Sequence, residues 1–242
     1  MEALMNQQAF STQLRERLES RRTLDHPIFK ELFVNGRNWP LLRMLTIEGF
    51  QITRHFVGYI EQLYFRCPLP VHKRRLLYNL FEEETGSLSR TKNHIELMED
   101  FVRAQGITEA DCNGHQPSAA TRELIDYRLR AVQADDTYHI GAAAVMIASE
   151  GQSLETTDGE PRHVMLAKVY GFTEEQTRFF SVHQKEDHGH VAEGVSLVVD
   201  LCHTATMQQQ ALEAVEYTCG LFRGMYDSVA EQYWAAKRGA AQ

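Results

Sequence analysis

Residues 173–201 read TEEQTRFFSVHQKEDHGHVAEGVSLVVDL, and the order of polar and apolar side chains in them decides how the chain is built. Stepping by four and three from Gln176 meets Phe180, His183, Asp187, His190, Gly194, Leu197 and Leu201, which is one face of an α-helix. The face begins and ends apolar. Its middle holds three side chains of metal-ligand type. At 100° per residue, positions four and seven after His183 return to within about 40° and 20° of its direction, so all three point to one place. Continuity with the apolar seam makes that place the core, where an unpaired carboxylate costs several kcal/mol. Asp187 therefore requires cations or hydrogen-bond donors nearby. The competing readings are a solvated polar run from Gln184 to His190 and a buried His–Asp hydrogen-bond network. His188 and Glu186 fall off the seam and are expected to face solvent.

The same three- and four-residue recurrence runs through almost every other segment, and alternating strand patterns are absent, so an all-α chain is expected. The pattern predicts helices over 7–21, a short one through Phe29 and Phe33, a long one over 39–66, one from about His72 to the acidic run Glu82-Glu83-Glu84, and one through His94 and Phe101. A loop over 105–117 follows, then helices over 118–134, 138–154, 161–170, 173–203 and 207–237. Gly171 closes one helix, and Thr173 with Gln176 forms a capping-box signature for the next. Seven or eight helices joined by short loops make one compact bundle over residues 1–242, able to hold a cofactor between facing helices. The 15 Gly and 6 Pro among 242 residues leave few chain breaks, in keeping with long helices.

Charge and composition exclude other classes. With 25 Lys+Arg against 33 Asp+Glu the net charge is −8, which argues against a nucleic-acid partner. The longest apolar run, Ile140 to Ala148, is too short to span a bilayer, and no basic-then-apolar leader opens the chain. Cys67, Cys112, Cys202 and Cys219 are scattered without a C-x-x-C pair, so neither a zinc knuckle nor a disulfide framework is indicated, and a reducing cytoplasm is the expected setting.

Two further signals join the seam. Glu150 ends the most apolar stretch of the chain and shares a helical face with Ala143, Met146, Ile147 and Leu154, where a carboxylate is out of place unless something positive meets it; the bland alternative is a water boundary. The acidic run precedes His94. On an unbroken helix Glu83 aligns better with His94 than Glu84 does, but Gly86 and Ser87 make such a helix doubtful. Taken singly, each signal is more often structural. Together, three inward-leaning helices supply carboxylates and imidazoles in nearly equal number, the complement that holds two divalent irons in a helical bundle.

On Asn79-Leu80-Phe81-Glu82-Glu83-Glu84-x-Gly86 with His94, on Glu150, and on His183-x3-Asp187-x2-His190, the sequence resembles the haem-oxygenase-like di-iron oxidases, a fold shared with the TenA thiaminases and the pyrroloquinoline-quinone synthase protein. The resemblance implies six ligands: Glu84, His94, Glu150, His183, Asp187 and His190. Glu84 is preferred over Glu83 because Glu-x-Gly followed by His looks like the longer-loop members. An extra carboxylate from the long second helix would be Glu61. The resemblance further implies two Fe(II) ions, dioxygen as co-substrate and no catalytic residue beyond the ligands. The expected substrate is a small amino-acid-derived or fatty-acid-like molecule, oxidised by N-oxygenation, desaturation or carbon–carbon cleavage in specialised-metabolite biosynthesis. It also allows a homodimer. Arg54, His55, Tyr59 and Phe180 are candidates for the pocket wall, with Arg54 offering a substrate carboxylate two parallel hydrogen bonds; the bland reading makes the aromatic residues core and the arginine surface. The alternatives are a metal-free thiaminase- or quinone-synthase-like enzyme, a haem protein with His26 as axial ligand, and a non-catalytic helical binding protein. Asp187→Ala is expected to weaken iron retention, measured as bound metal after anaerobic loading; unchanged metal content would remove Asp187 from the ligand set.

Overall fold

The computed structural model describes residues 3–34, 36–152, 154 and 160–239, and the side chain of Asp187 lies outside the described residues. Among them the secondary structure is helical throughout. The helices are α1 (Gln7–Glu19), α2 (Ile28–Phe33), α3 (Trp39–Thr53), α4 (Phe56–Arg66), α5 (Pro70–Thr85), α6 (His94–Ala104), α7 (Glu109–Gly114), α8 (Ala119–Gln133), α9 (Tyr138–Ala142), α10 (Arg162–Tyr170), α11 (Arg178–Leu201) and α12 (Ala205–Gly239). A π-helical stretch, Ala143–Ser149, continues α9 without a break.

The local causes are readable. Asn38 caps α3 by accepting from Leu41 N, with Pro40 in the first turn, where its missing N–H is no loss. The Thr173/Gln176 box forms, each side chain accepting the other's backbone N–H, although it closes a turn one step before α11. Gly171 ends α10 at φ 82°. Two expectations change. The helix expected over 39–66 is interrupted at Arg54–His55, where Thr53 Oγ1 donates back to Gly49 O (3.0 Å), a bond that bends helices. The loop expected over 105–117 contains α7, started by a Thr108/Asp111 capping box.

Burial is continuous through the middle of the molecule. One apolar cluster gathers α1, α4, the π-helical stretch, α11 and α12; a second gathers α2, α3, α6 and α10; a third joins Ile52, Leu124, Phe222 and Met225. The π-helical stretch is buried at every residue from Ala143 to Ser149. Gly194 lets α11 lie directly against it, since a Cβ there would stand 2.5 Å from the Met146 carbonyl oxygen. No described helix is long and apolar enough to cross a membrane.

Glu48, buried on α3, ties that helix to the start of α8. Its carboxylate accepts from Ser118 N (2.7 Å) and Thr121 Oγ1 (2.6 Å) and pairs with His115 Nε2 (2.5 Å). Burial alone would raise its pKa, but Thr121, His115 and Ser118 together bring it below the ordinary 4.5. A lowered folded-state pKa means that the stability Glu48 contributes is present above its ordinary value and lost as pH falls through the lower one. Glu48→Gln is therefore expected to cost about 1–2 kcal/mol at pH 7 in denaturant unfolding, with the wild type's margin shrinking in acid. A margin that stays constant on acidification would contradict this account.

Candidate metal centre

The acidic run at the end of α5 points its three carboxylates in three directions, because successive helical residues are about 100° apart. Glu82 turns to the following loop and accepts from Leu88 N (2.7 Å) and Ser89 N (3.1 Å). Glu83 turns to the core. Glu84 is exposed. The helix then stops at Gly86, in the left-handed region at φ 61°, where a Cβ would stand 2.3 Å from the Lys92 carbonyl oxygen; only glycine allows the chain to fold back so tightly. This return places His94 at the first position of α6, buried and facing Glu83.

Three ligand atoms meet there. Glu83 Oε2 lies 2.5 Å from His94 Nδ1, His94 Nδ1 lies 2.9 Å from His183 Nε2, and the donor atoms of all three residues fall within 4.8 Å of one another. His183 is oriented from behind, its Nδ1 standing 2.6 Å from the carbonyl oxygen of Phe179. Donating there commits its proton to Nδ1 and leaves the Nε2 lone pair facing inward, as a metal-bound imidazole requires. The His94 ring is held by stacking on Phe56, with centroids 5.3 Å apart.

A second pair adjoins this group. Glu150, the residue after the π-helical stretch, is buried with Oε1 3.3 Å from His190 Nδ1 and 3.4 Å from Asn79 Nδ2. Electrostatics links the two halves. Burial would push Glu83 up, but His94, with His183 and His190, holds it down at about 2. Burial and the neighbouring His94 lower His183, against the opposing pull of Glu83 and Glu150. Glu186 is half-buried beside the same group, and burial followed by Glu82 raises its pKa, with Glu83 and Glu150 adding to the rise; the expectation that it faces open solvent is corrected.

The donor set fits a metal. Glu83 Oε2 is buried and lacks a properly directed hydrogen bond despite its nearness to His94, and one proton on His94 Nδ1 cannot satisfy both that oxygen and His183 Nε2. A cation among the three atoms satisfies all of them. Two imidazoles and one carboxylate with positions left open suit non-haem ferrous iron, and carboxylates and histidines from several helices are the usual donors to two irons in a bundle core.

Of the residues predicted from sequence, His94, Glu150, His183 and His190 are brought together, and the side chain of Asp187 lies outside the described residues. Glu84 is not in the group; Glu83 takes its place. Glu61 is exposed on α4. The site opens on a cavity of about 180 Å³ bordered by His94, Glu150 and His183 and by apolar residues including Phe56, Phe180 and Phe222. Arg54 and His55 are exposed at the break between α3 and α4, away from this wall, and Arg54 donates to Asn113 (3.3 Å). Tyr59 is buried behind the wall with its hydroxyl on Ile125 O (3.2 Å). Neither nitrogen of His26 is open to a haem: Nδ1 accepts from Ile28 N, and Nε2 lies 3.0 Å from Asp227.

Sequence reasoning missed Arg128, which also borders the cavity. Its signal was an arginine in the apolar register Thr121, Leu124, Arg128, Ala131 of α8. None of the four cysteines, all free and buried, borders the cavity.

Comparison with known proteins agrees with this chemistry. The pattern of the family described as iron-containing redox enzymes matches residues 43–222, a span containing every residue of the group. The chain belongs to that family, and is thus an iron-containing oxidoreductase. A 4-aminobenzoate synthase of Chlamydia muridarum is 24% identical over 223 residues, covering 92% of this chain and 90% of the relative. A TenA homologue from Pseudomonas syringae pv. tomato superposes with a TM-score of 0.75 at 16% identity over 96% of this chain and 98% of that one. A domain from Shewanella denitrificans with a haem-oxygenase-like fold gives 0.72 at 15% identity over 98% and 97%. These likenesses make the fold haem-oxygenase-like.

Glu83→Ala is expected to reduce retained iron roughly tenfold or more after anaerobic ferrous loading and desalting, whereas Glu84→Ala leaves it unchanged. Equal retention by the two variants would take Glu83 out of the centre.

Proposed function

We propose that residues 1–242 form one di-iron oxidase domain that uses dioxygen to oxidise a small substrate, with Glu83, His94, Glu150, His183, Asp187 and His190 as the iron ligands. The observation that carries this reading is the convergence of Glu83 Oε2, His94 Nδ1 and His183 Nε2 beside an apolar cavity. Bound iron supplies the electrons for reducing dioxygen, chemistry that side chains alone lack.

The chain's own part is positioning and exclusion. The Phe179 carbonyl holds the His183 tautomer, Phe56 fixes the His94 ring plane, and Asn79 steadies Glu150. Phe56, Phe180 and Phe222 give the cavity a wall that favours an apolar substrate body and disfavours water. Such a wall suits the small amino-acid-derived or fatty-acid-like molecules expected from the sequence. The chlamydial relative is named for the synthesis of 4-aminobenzoate, a small aromatic amino acid, which supports a biosynthetic reaction on the scale of such a small molecule. The free, buried cysteines accord with work in a reducing cytoplasm.

Anaerobically iron-loaded protein is expected to consume oxygen on mixing with air, faster when a screen of amino acids, their N-oxygenated derivatives and short fatty acids reaches the substrate. Chelation should abolish this uptake. Turnover that survives chelation would favour the metal-free enzyme, and ligand binding without any oxygen uptake would favour a binding protein.

A further inference from the structure

Two arginines border the cavity and take no part in iron binding: Arg162, half-buried with its guanidinium over the Phe180 ring (5.4 Å to the centroid), and Arg128, which is fully enclosed. Arg128 on α8 is 0% exposed. Its Nε donates to Leu124 O (3.1 Å) and its Nη1 to Ser149 Oγ (3.3 Å), and the guanidinium faces the rings of Tyr59 (4.6 Å to the centroid) and Phe222 (5.5 Å). Nη2 is buried with no hydrogen-bond partner. Among the described residues no carboxylate pairs with this cation. Burial lowers its pKa to about 10, with the Tyr59 hydroxyl acting the other way, so it is charged at neutral pH. A buried charge without a counter-ion is destabilising by several kcal/mol, and a purely structural role on Leu124 and Ser149 would need no charge.

Its position gives the charge a use. Ser149, which accepts from Nη1, immediately precedes Glu150, and both border the cavity together with Arg128, His94 and His183. Nη2, whose hydrogens no neighbour takes, stands beside Nη1 in the fork that matches a carboxylate. Phe56, Phe222 and Met98 are among the residues lining the same cavity, an apolar wall that suits a small ring or short chain.

We propose that Arg128 is the carboxylate-binding residue of this cavity and that its ligand is a small monocarboxylate with an apolar body, the acid group on Arg128 and the far end toward Glu150, His94 and His183. The proposal rests on reading the cavity as the substrate site and names the class of molecule held there. It moves to the core the anion-binding role that sequence reasoning gave to Arg54.

Calorimetry with benzoate and its neutral counterpart benzamide tests it, using full-length protein both iron-loaded and chelator-treated. The wild type is expected to bind benzoate roughly tenfold or more tightly than benzamide in both metal states. Arg128→Met should abolish the preference, and Arg128→Lys should keep part of it. The wild-type comparison stands alone if the methionine variant does not fold. Equal affinity for the two probes, no benzoate binding at millimolar concentration, or an unchanged preference in Arg128→Met would each overturn the proposal. Benzoate binding that requires iron would assign the carboxylate to the metal and overturn it while leaving the iron reading intact. A preference carried by Arg128 in a protein that retains no iron would uphold it and defeat the iron reading.

Discussion

Negative charge in the middle of an apolar bundle is the constraint on which the rest of this structure depends. Glu83 and Glu150 are both buried, and among the described residues the ion-pair partners of both are histidines, not lysine or arginine. Imidazoles from α6 and α11 surround them instead. Histidine nitrogens stabilise a carboxylate only when protonated, and three donor atoms within 4.8 Å cannot all be satisfied by the protons available. Divalent iron removes the conflict, and membership of the iron-containing redox enzymes gives that physical argument its chemical name.

Holding the donors in place falls to features that look incidental. Gly86 ends α5 in a conformation that other residues rarely adopt, and the loop it begins is stapled back by Glu82. Without that return, His94 would not face Glu83. On the opposite side, the π-helical stretch Ala143–Ser149 widens the helix that carries Glu150, as often happens in helices at functional sites. Gly194 allows α11 to approach it closely, bringing His190 to Glu150. The centre is thus assembled by two irregular backbone segments and one long regular helix.

The cavity beside the centre divides its labour. Aromatic rings form most of its apolar wall, while Arg128, buried more deeply than Arg162 at the same cavity, supplies the enclosed cation. That guanidinium is held by a carbonyl, a hydroxyl and two ring faces, contacts that orient it without neutralising it. On the reading proposed above, this chain holds its iron-binding groups at one part of the chamber and its anion-binding group at another.

Much of this was legible in the sequence. Helical periodicity is local, so the seam through Phe180, His183, His190, Gly194 and Leu197 needed only the 3.6-residue repeat, and Glu150 announced itself by standing at the end of an apolar run. Where the backbone departs from a regular helix, that repeat no longer applies. It favoured Glu83 over Glu84 on an unbroken helix and the family resemblance overruled it; the helix in fact ends two residues later, and the return at Gly86 still brings His94 to Glu83. It placed Arg54 and His55 on a continuous helix, whereas the bend after Thr53 turns them outward. It passed over Arg128, whose meaning depends on Ser149 and Phe222, residues distant in sequence. The sequence by itself determined an all-helical chain with acids and imidazoles on inward faces, since those are properties of single helices. Tertiary structure decided which acid meets which imidazole and which arginine is buried, because those outcomes depend on where helices stop and how closely they pack.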